Sequence, residues 1–287
     1  MSTVQRPPIV MTFSASDPTS GAGLQADLLT CASMGCHALT ILSGITVQDT
    51  AGAESVEAVD PDLLEDQARL LLEDMQVDAF KIGLLGSVEN IQVVAEILAD
   101  YPDIPMVLDP VLASGRGDNL TDEDQRAALC ELLLPQTTIL TPNSLEARQL
   151  ALQIQTNQDA LDADERQEDE SLSLAQCADQ IMQLGCEYVV ITGTHEASIE
   201  VINSLYGPGG LIQQDRWQRL LASYHGSGCT LASAIAAMLA CGMEMSKAVR
   251  EAQEYTWQTL VHGFQPGMGQ HIPDRLFWAR QNPDKLQ

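Results

Sequence analysis

Short apolar runs that stop at a polar or Gly-rich loop and hand over to a helical pattern recur along this chain. That alternation restricts the fold more than any single residue does. Ile9–Ser14 follows Pro7-Pro8, ends in the loop Ala15-Ser-Asp-Pro-Thr-Ser-Gly-Ala-Gly23, and leads to a helix over Leu24–Met34 closed by Gly35. Ala38–Val47 reads as a central strand and Pro61–Met75 as the helix after it. The order repeats with strand Asp78–Leu85 and helix Ser87–Leu98, then strand Pro105–Val111 and helix Asp122–Leu134. Thr138–Leu140 leads to a helix capped near Asn143; helix Leu172–Leu184 leads to strand Glu187–Thr192. Ile199–Tyr206 and Leu211–Trp217, joined by Gly-Pro-Gly-Gly, form a β-hairpin. Strands alternating with helices imply a mostly parallel sheet covered on both faces, an α/β fold. The loops all follow strands, so they should gather at one edge of the sheet. No linker divides the chain, which predicts a single domain over 1–287, with the acidic stretch 156–171 as a solvated surface insertion.

The unit from Ser223 to Gly242 turns most sharply. Gly226 and Gly228 let the backbone bend and let a ligand approach, while Thr230–Ala240 is rich in helix formers. Such a turn leaves unpaired N–H groups at the positive end of the helix dipole and can hold an anion. Cys229 lies at its mouth, where a thiol pKa is expected to fall. The same residues also suit a plain helix start with a small buried cysteine. Neither a Walker motif nor a dinucleotide fingerprint is present. Asp109, at the end of a predicted strand, suits magnesium or a phosphate-facing network, and equally an Asp-Pro turn. Asn143 with Glu146 three residues on reads as a capping box. Lys81 in an apolar strand needs a carboxylate or a water path, and Arg116 is the cation of the loop after Asp109.

Asp and Glu number 40 against 14 Lys and Arg, a net charge of −26, which argues against nucleic acid or an anionic membrane as a partner. The seven cysteines are scattered without metal-ligand spacing, which predicts reduced thiols and a cytoplasmic protein. No apolar run approaches membrane-spanning length, and the N-terminus lacks a leader-like apolar core.

Seven pieces, in one order, resemble the hydroxymethylpyrimidine/phosphomethylpyrimidine kinases of thiamine synthesis, within the ribokinase-like superfamily. They are S-D-P-T-S-G-A-G-L-Q-A-D (16–27), T-V-Q-D-T (46–50), K-I-G-L-L (81–85), L-D-P-V (108–111), T-P-N-S-L-E-A (141–147), I-T-G-T-H (191–195) and H-G-S-G-C-T-L-A-S-A (225–234). The last is the sharpest, because most ribokinase-like enzymes carry Asp where Cys229 stands. The resemblance implies a three-layer α/β/α fold with the hairpin near the nucleotide side, ATP and Mg2+ as cofactors, a small pyrimidine as substrate, and a homodimer. It implies phosphoryl transfer to 4-amino-5-hydroxymethyl-2-methylpyrimidine and then to its monophosphate. Cys229 would be the base, with Gly226 and Gly228 forming the anion hole. Asp27 and Gln48 would bond the pyrimidine, and Ala22, Leu84 and Val111 would pack its ring. Asp109 and Glu146 would organise the metal, and Asn143, Thr192, Gly193 and Ser227 would meet the nucleotide. Departures are Ala15 and Leu84, the absence of Lys from Thr192-Gly-Thr-His195 and from Ala222-Ser-Tyr, and Arg116 in place of a loop Lys. A pyridoxal kinase would share Cys229 and differ around Gln48; a catalytically silent pyrimidine-binding protein would account for the missing lysines.

Overall fold

Val10 and Met11 are adjacent and both fully buried, yet they belong to two separate apolar clusters. Successive side chains of a strand point to opposite faces, so both faces of this strand are covered. It is β1 (Ile9–Ser16) in the computed structural model, which describes residues 6–112, 120–159 and 172–280. The other strands are β2 (His37–Gln48), β3 (Ala53–Ala58), β4 (Ala79–Ile82), β5 (Met106–Leu108), β6 (Ile139–Leu140), β7 (Tyr188–Ile191), β8 (Glu200–Gly207) and β9 (Gly210–Gln218). They form one sheet in the order β3-β2-β1-β4-β5-β6-β7-β8-β9. The run from β2 to β7 is parallel; β3 at one edge and the β8–β9 hairpin at the other are antiparallel.

One face carries α1 (Gly23–Ser33), α7 (Ser227–Ala240) and α8 (Met245–Val261), packed on Val10, Val107, Ile139 and Val190. The other carries α2 (Pro61–Asp74), α3 (Val88–Ala99), α4 (Glu123–Ala128), α5 (Ser144–Asp159) and α6 (Leu174–Gln183), packed on Met11, Phe13, Phe80, Ile82 and Leu108. The result is three layers. Caps fix the helix starts: the Asp60 carboxylate accepts from the Asp62 and Leu63 N–H groups ahead of Pro61, and Ser173 with Gln176 closes a capping box. Each such cap stabilises by about 1 kcal/mol. Among the described residues no helix is long and apolar enough to cross a membrane, and all seven cysteines are free.

Three expectations need correction. Ala38–Val47 is not central: β2 lies next to the edge strand β3, and its Ile45 and Val47 are about half exposed (52% and 51%). The Asp122–Leu134 helix does not run through. It gives way after Ala128 to a π turn, Leu129–Leu133, and a 3-10 turn, Leu134–Gln136, that contains Pro135. Helix α5 continues to Asp159, so the acidic stretch begins inside a helix; the rest of it, and the loop with Arg116, lie outside the described residues.

Candidate active site

The parallel strands all point their C-terminal ends at one edge of the sheet, and the loops beyond them meet there. Those after β1, β4, β5, β6 and β7, with the end of β2 (Thr46 and Gln48) and the start of α7, line a cavity of about 680 Å³. Of the residues singled out in the sequence, Ala22, Gln48, Leu84, Asp109, Val111, Asn143, Glu146, Thr192, Gly226, Ser227, Gly228 and Cys229 line it. Asp27 and Gly193 do not.

Asp27 is fully buried beneath the cavity in α1, and its oxygens are engaged by protein groups. Lys81 Nζ lies 3.0 Å from Oδ1 and 3.1 Å from Oδ2, and Ser233 Oγ donates to Oδ1 at 2.6 Å. The expected hydrogen bond from Asp27 to the pyrimidine therefore gives way to a structural ion pair. Lys81 is itself wholly buried, donates to Ser14 Oγ at 3.3 Å, and stays charged because its burial is outweighed by Asp27, Cys229 and Asp109 together. Gly193 is similarly turned inward, its N–H donating to Asn203 Oδ1 at 3.1 Å.

Cys229 sits in the first turn of α7, where the leading N–H groups of a helix have no intrahelical partner. Its thiol pKa is pushed up, not down as expected. Burial disfavours the thiolate, and the Asp109 and Asp27 carboxylates repel it; Lys81 and the Gly23 N–H act the other way and do not prevail. Asp109 is also held up by burial, partly offset by Lys81 and by the Cys229 thiol. Asp109 Oδ2 is buried without a hydrogen-bond partner, its nearest cation being Lys81 at 3.8 Å.

Asn143 and Glu146 make the capping box read from the sequence. Asn143 Oδ1 accepts from the Glu146 N–H at 3.0 Å, and Glu146 Oε2 accepts from the Asn143 N–H at 2.9 Å. The same carboxyl also faces the cavity, and burial beside Asp109 raises it from the ordinary 4.5 to about 8. The folded protein thus binds this proton more tightly than the unfolded chain. The stability this contributes is full below the ordinary Glu value and is lost as pH rises towards 8, at up to about 1.4 kcal/mol per pH unit. Glu146→Gln should flatten that loss, measured as urea midpoints at pH 5.5 and 8.5; an equally steep fall in the variant would refute the assignment.

Several cavity residues were not singled out beforehand. Asp17, almost fully buried, accepts from the Thr19 N–H at 2.8 Å, the Ala22 N–H at 2.7 Å and His225 Nε2 at 2.8 Å. Against its burial, the bonds from His225, Gln48 and the Ala22 N–H hold its carboxyl far below the usual range. Gln48 Nε2 lies 3.5 Å from the same His225 nitrogen, so this cluster places the Gln48 amide. Asp-Pro-Thr-Ser in the first loop was the available signal for this Asx-type turn. At the opposite end Trp217 and Trp257 line the cavity with ring centroids 6.2 Å apart. Arg219 lies nearby and braces the loop after β7, donating to the Thr194, Glu196 and Ser198 carbonyls.

Gly226 caps α7 with φ +84°, in the left-handed region, and a Cβ there would run into the Gly21 carbonyl. Gly226→Ala should therefore force the two loops apart and lower turnover at least about tenfold, since misplacing a reacting group by 1 Å can cost about 100-fold. Steady-state kinetics on folded variant would check it, and near-native turnover would show that the loops can yield.

A family model described as phosphomethylpyrimidine kinase matches residues 17–274. The hydroxymethylpyrimidine/phosphomethylpyrimidine kinase of Streptomyces coelicolor is 36% identical over 264 residues, 92% of each chain. Among solved structures, pyridoxal kinase from Staphylococcus aureus in complex with AMP-PCP and pyridoxal superposes with a TM-score of 0.80 at 27% identity, over 96% of each chain. Phosphomethylpyrimidine kinase from Clostridium difficile does so with a TM-score of 0.71 at 28% identity, over 88% of this chain and 99% of that one. The fold is thus the one seen in these vitamin kinases.

Proposed function

The chain belongs to the phosphomethylpyrimidine kinase family, and from that premise we propose that it moves the γ-phosphoryl group of ATP onto 4-amino-5-hydroxymethyl-2-methylpyrimidine, and then onto the monophosphate, in thiamine biosynthesis. The observation that carries this reading is the position of Cys229. It stands on a helix N-terminus, beside Asp109, in a cavity that has Gln48, Leu84 and Val111 among its walls and Asn143, Glu146 and Thr192 among its polar groups.

The apolar Ala22, Leu84 and Val111 pack the pyrimidine ring, and Gln48, braced by His225, bonds its polar edge. The alcohol oxygen attacks the γ-phosphorus, ADP leaves with the electrons of the broken P–O bond, and the alcohol proton passes to Cys229. Because the resting thiol is neutral, its own proton needs an acceptor, and the neighbouring Asp109 supplies one. The Ser227, Gly228 and Cys229 N–H groups stabilise the charge that develops on the transferring phosphoryl group. Asn143, Thr192 and Ser227 meet the nucleotide phosphates. Trp217 and Trp257 offer an apolar shelf at the other end.

Magnesium fits this donor set. Asp109 and Glu146 bring two carboxyl groups, with Asp109 Oδ2 unpartnered. That suits an ion held by one or two carboxylates, substrate phosphates and water. Bound there, magnesium would neutralise phosphate charge. The reading extends to a cytoplasmic homodimer, which would cover the half-exposed Ile45 and Val47 on one face of β2.

A second reading, pyridoxal kinase, draws on the fold match to the enzyme solved with pyridoxal. ADP release with Mg-ATP and three acceptors in parallel separates the two. Turnover of the hydroxymethylpyrimidine and its monophosphate with little pyridoxal turnover is the expected result. Pyridoxal turnover alone would move the activity to vitamin B6, and no turnover by folded protein would leave a binding protein.

A further inference from the structure

Arg275 follows α8 in the C-terminal segment and is almost wholly buried, at 2% exposure. Its guanidinium reaches two elements that the segment itself is no part of. Nη2 donates to the Gly21 carbonyl at 2.6 Å and the Gly226 carbonyl at 3.4 Å, Nη1 to the Ser20 carbonyl at 3.2 Å, and Nε to Thr230 Oγ1 at 3.1 Å. The segment is anchored on α8, through Tyr255 Oη donating to the Arg275 carbonyl at 2.9 Å and the Asp274 N–H donating to the Thr259 carbonyl at 2.9 Å. One side chain thus bridges the loop that carries Asp17 and the turn that carries Cys229.

Two consequences follow from peptide geometry. In a trans peptide the C=O and N–H point in opposite directions. The Gly21 carbonyl takes its bond from Arg275, and the N–H of the same peptide, on Ala22, donates to Asp17. The Gly226 carbonyl accepts from Thr230 Oγ1 at 2.7 Å and the Thr230 N–H at 3.0 Å as well as from Arg275 at 3.4 Å, so Arg275 reaches it mainly through Thr230 Oγ1, to which its Nε donates; the N–H of that peptide belongs to Ser227, in the first turn of α7. Bonds in series polarise one another, and more so inside a protein. Second, among the described residues Arg275 makes no ion pair: its partners are carbonyls and a hydroxyl. Its charge stands uncompensated by contact, behind the turn where phosphoryl charge would develop.

We propose that Arg275 is a positioning residue for phosphoryl transfer. It holds the two loops in register and keeps the Ser227 N–H polarised towards the cavity, so its effect falls on kcat more than on substrate binding. This rests on the kinase reading of the cavity.

The test compares Arg275→Lys, which keeps the charge but not the fork, with Arg275→Gln, which loses the charge, using Mg-ATP and the hydroxymethylpyrimidine on protein with native circular dichroism. The expected result is a kcat at least about tenfold lower in R275Q, with KM for ATP changed by less than about threefold, and R275K in between. A kcat within about twofold of wild type in both variants, or R275Q matching R275K, would overturn the proposal. Should R275Q not fold, R275K decides alone, by the same twofold limit. Absence of turnover in the wild-type protein would instead sink the kinase reading and is scored separately.

Discussion

Cys229→Ala is expected to lower kcat for the hydroxymethylpyrimidine by roughly 100- to 1000-fold, with KM for ATP little changed. The alcohol of the first acceptor must lose a proton as it attacks, and Cys229 is the half-buried group in the first turn of α7 beside Asp109. The second acceptor attacks through a phosphate oxygen that is already ionised at neutral pH, so its turnover should fall much less. Single-turnover rates with each acceptor separate the two steps. Equal losses for both acceptors would mean that Cys229 shapes the turn and moves no proton.

Lys81→Met is expected to destabilise the protein by about 3–5 kcal/mol, because it leaves the Asp27 carboxylate buried without its cation. Asp27 and Lys81 are both at zero exposure, so water cannot replace the lost partner. Lys81→Met with Asp27→Leu should recover much of the loss, since an apolar pair of similar volume replaces a buried ion pair at little cost. Urea unfolding of the single and double variants measures this. A single variant as stable as wild type would show that the pair contributes nothing net. Turnover of the double variant reports a separate matter: whether the positive charge, 3.8 Å from Asp109, is also used in the reaction.

How much of this was legible in the sequence depended on whether a local pattern carried the information. Nearly every strand and helix followed from an apolar run with a turn or cap beside it, because both signals are local. Strand β3 escaped: Ala53–Ala58 exposes Glu54 and Glu57 and has little apolar alternation, and it is a strand because it pairs with β2. The polar cavity residues were legible because they follow strand ends. Asp27 was misassigned because its partner, Lys81, is 54 residues away and meets it only once α1 lies on the sheet. The Cys229 pKa was read from the helix start alone, whereas burial, and then Asp109 and Asp27 from two other elements, reverse its direction. Arg275 could not have been singled out, since all but one of its partners are main-chain carbonyls, which no residue type announces.

The order of strands in the sheet bears on how such an enzyme can change its vitamin. The walls assigned to the acceptor ring, Ala22, Gln48, Leu84 and Val111, follow β1, β4 and β5 or end β2, all from the first 111 residues. The groups assigned to phosphate and proton transfer, apart from Asp109, follow β6 and β7 or open α7, all beyond residue 140. On these assignments acceptor choice and most of the phosphoryl chemistry would be written in separate halves of the chain, joined by Asp109 from the first half and by His225, which braces Gln48 from the second. Drift in the first half can retune which alcohol is accepted while the second half is inherited intact, and a chimera joined between β5 and β6 would carry one parent's taste and the other's engine.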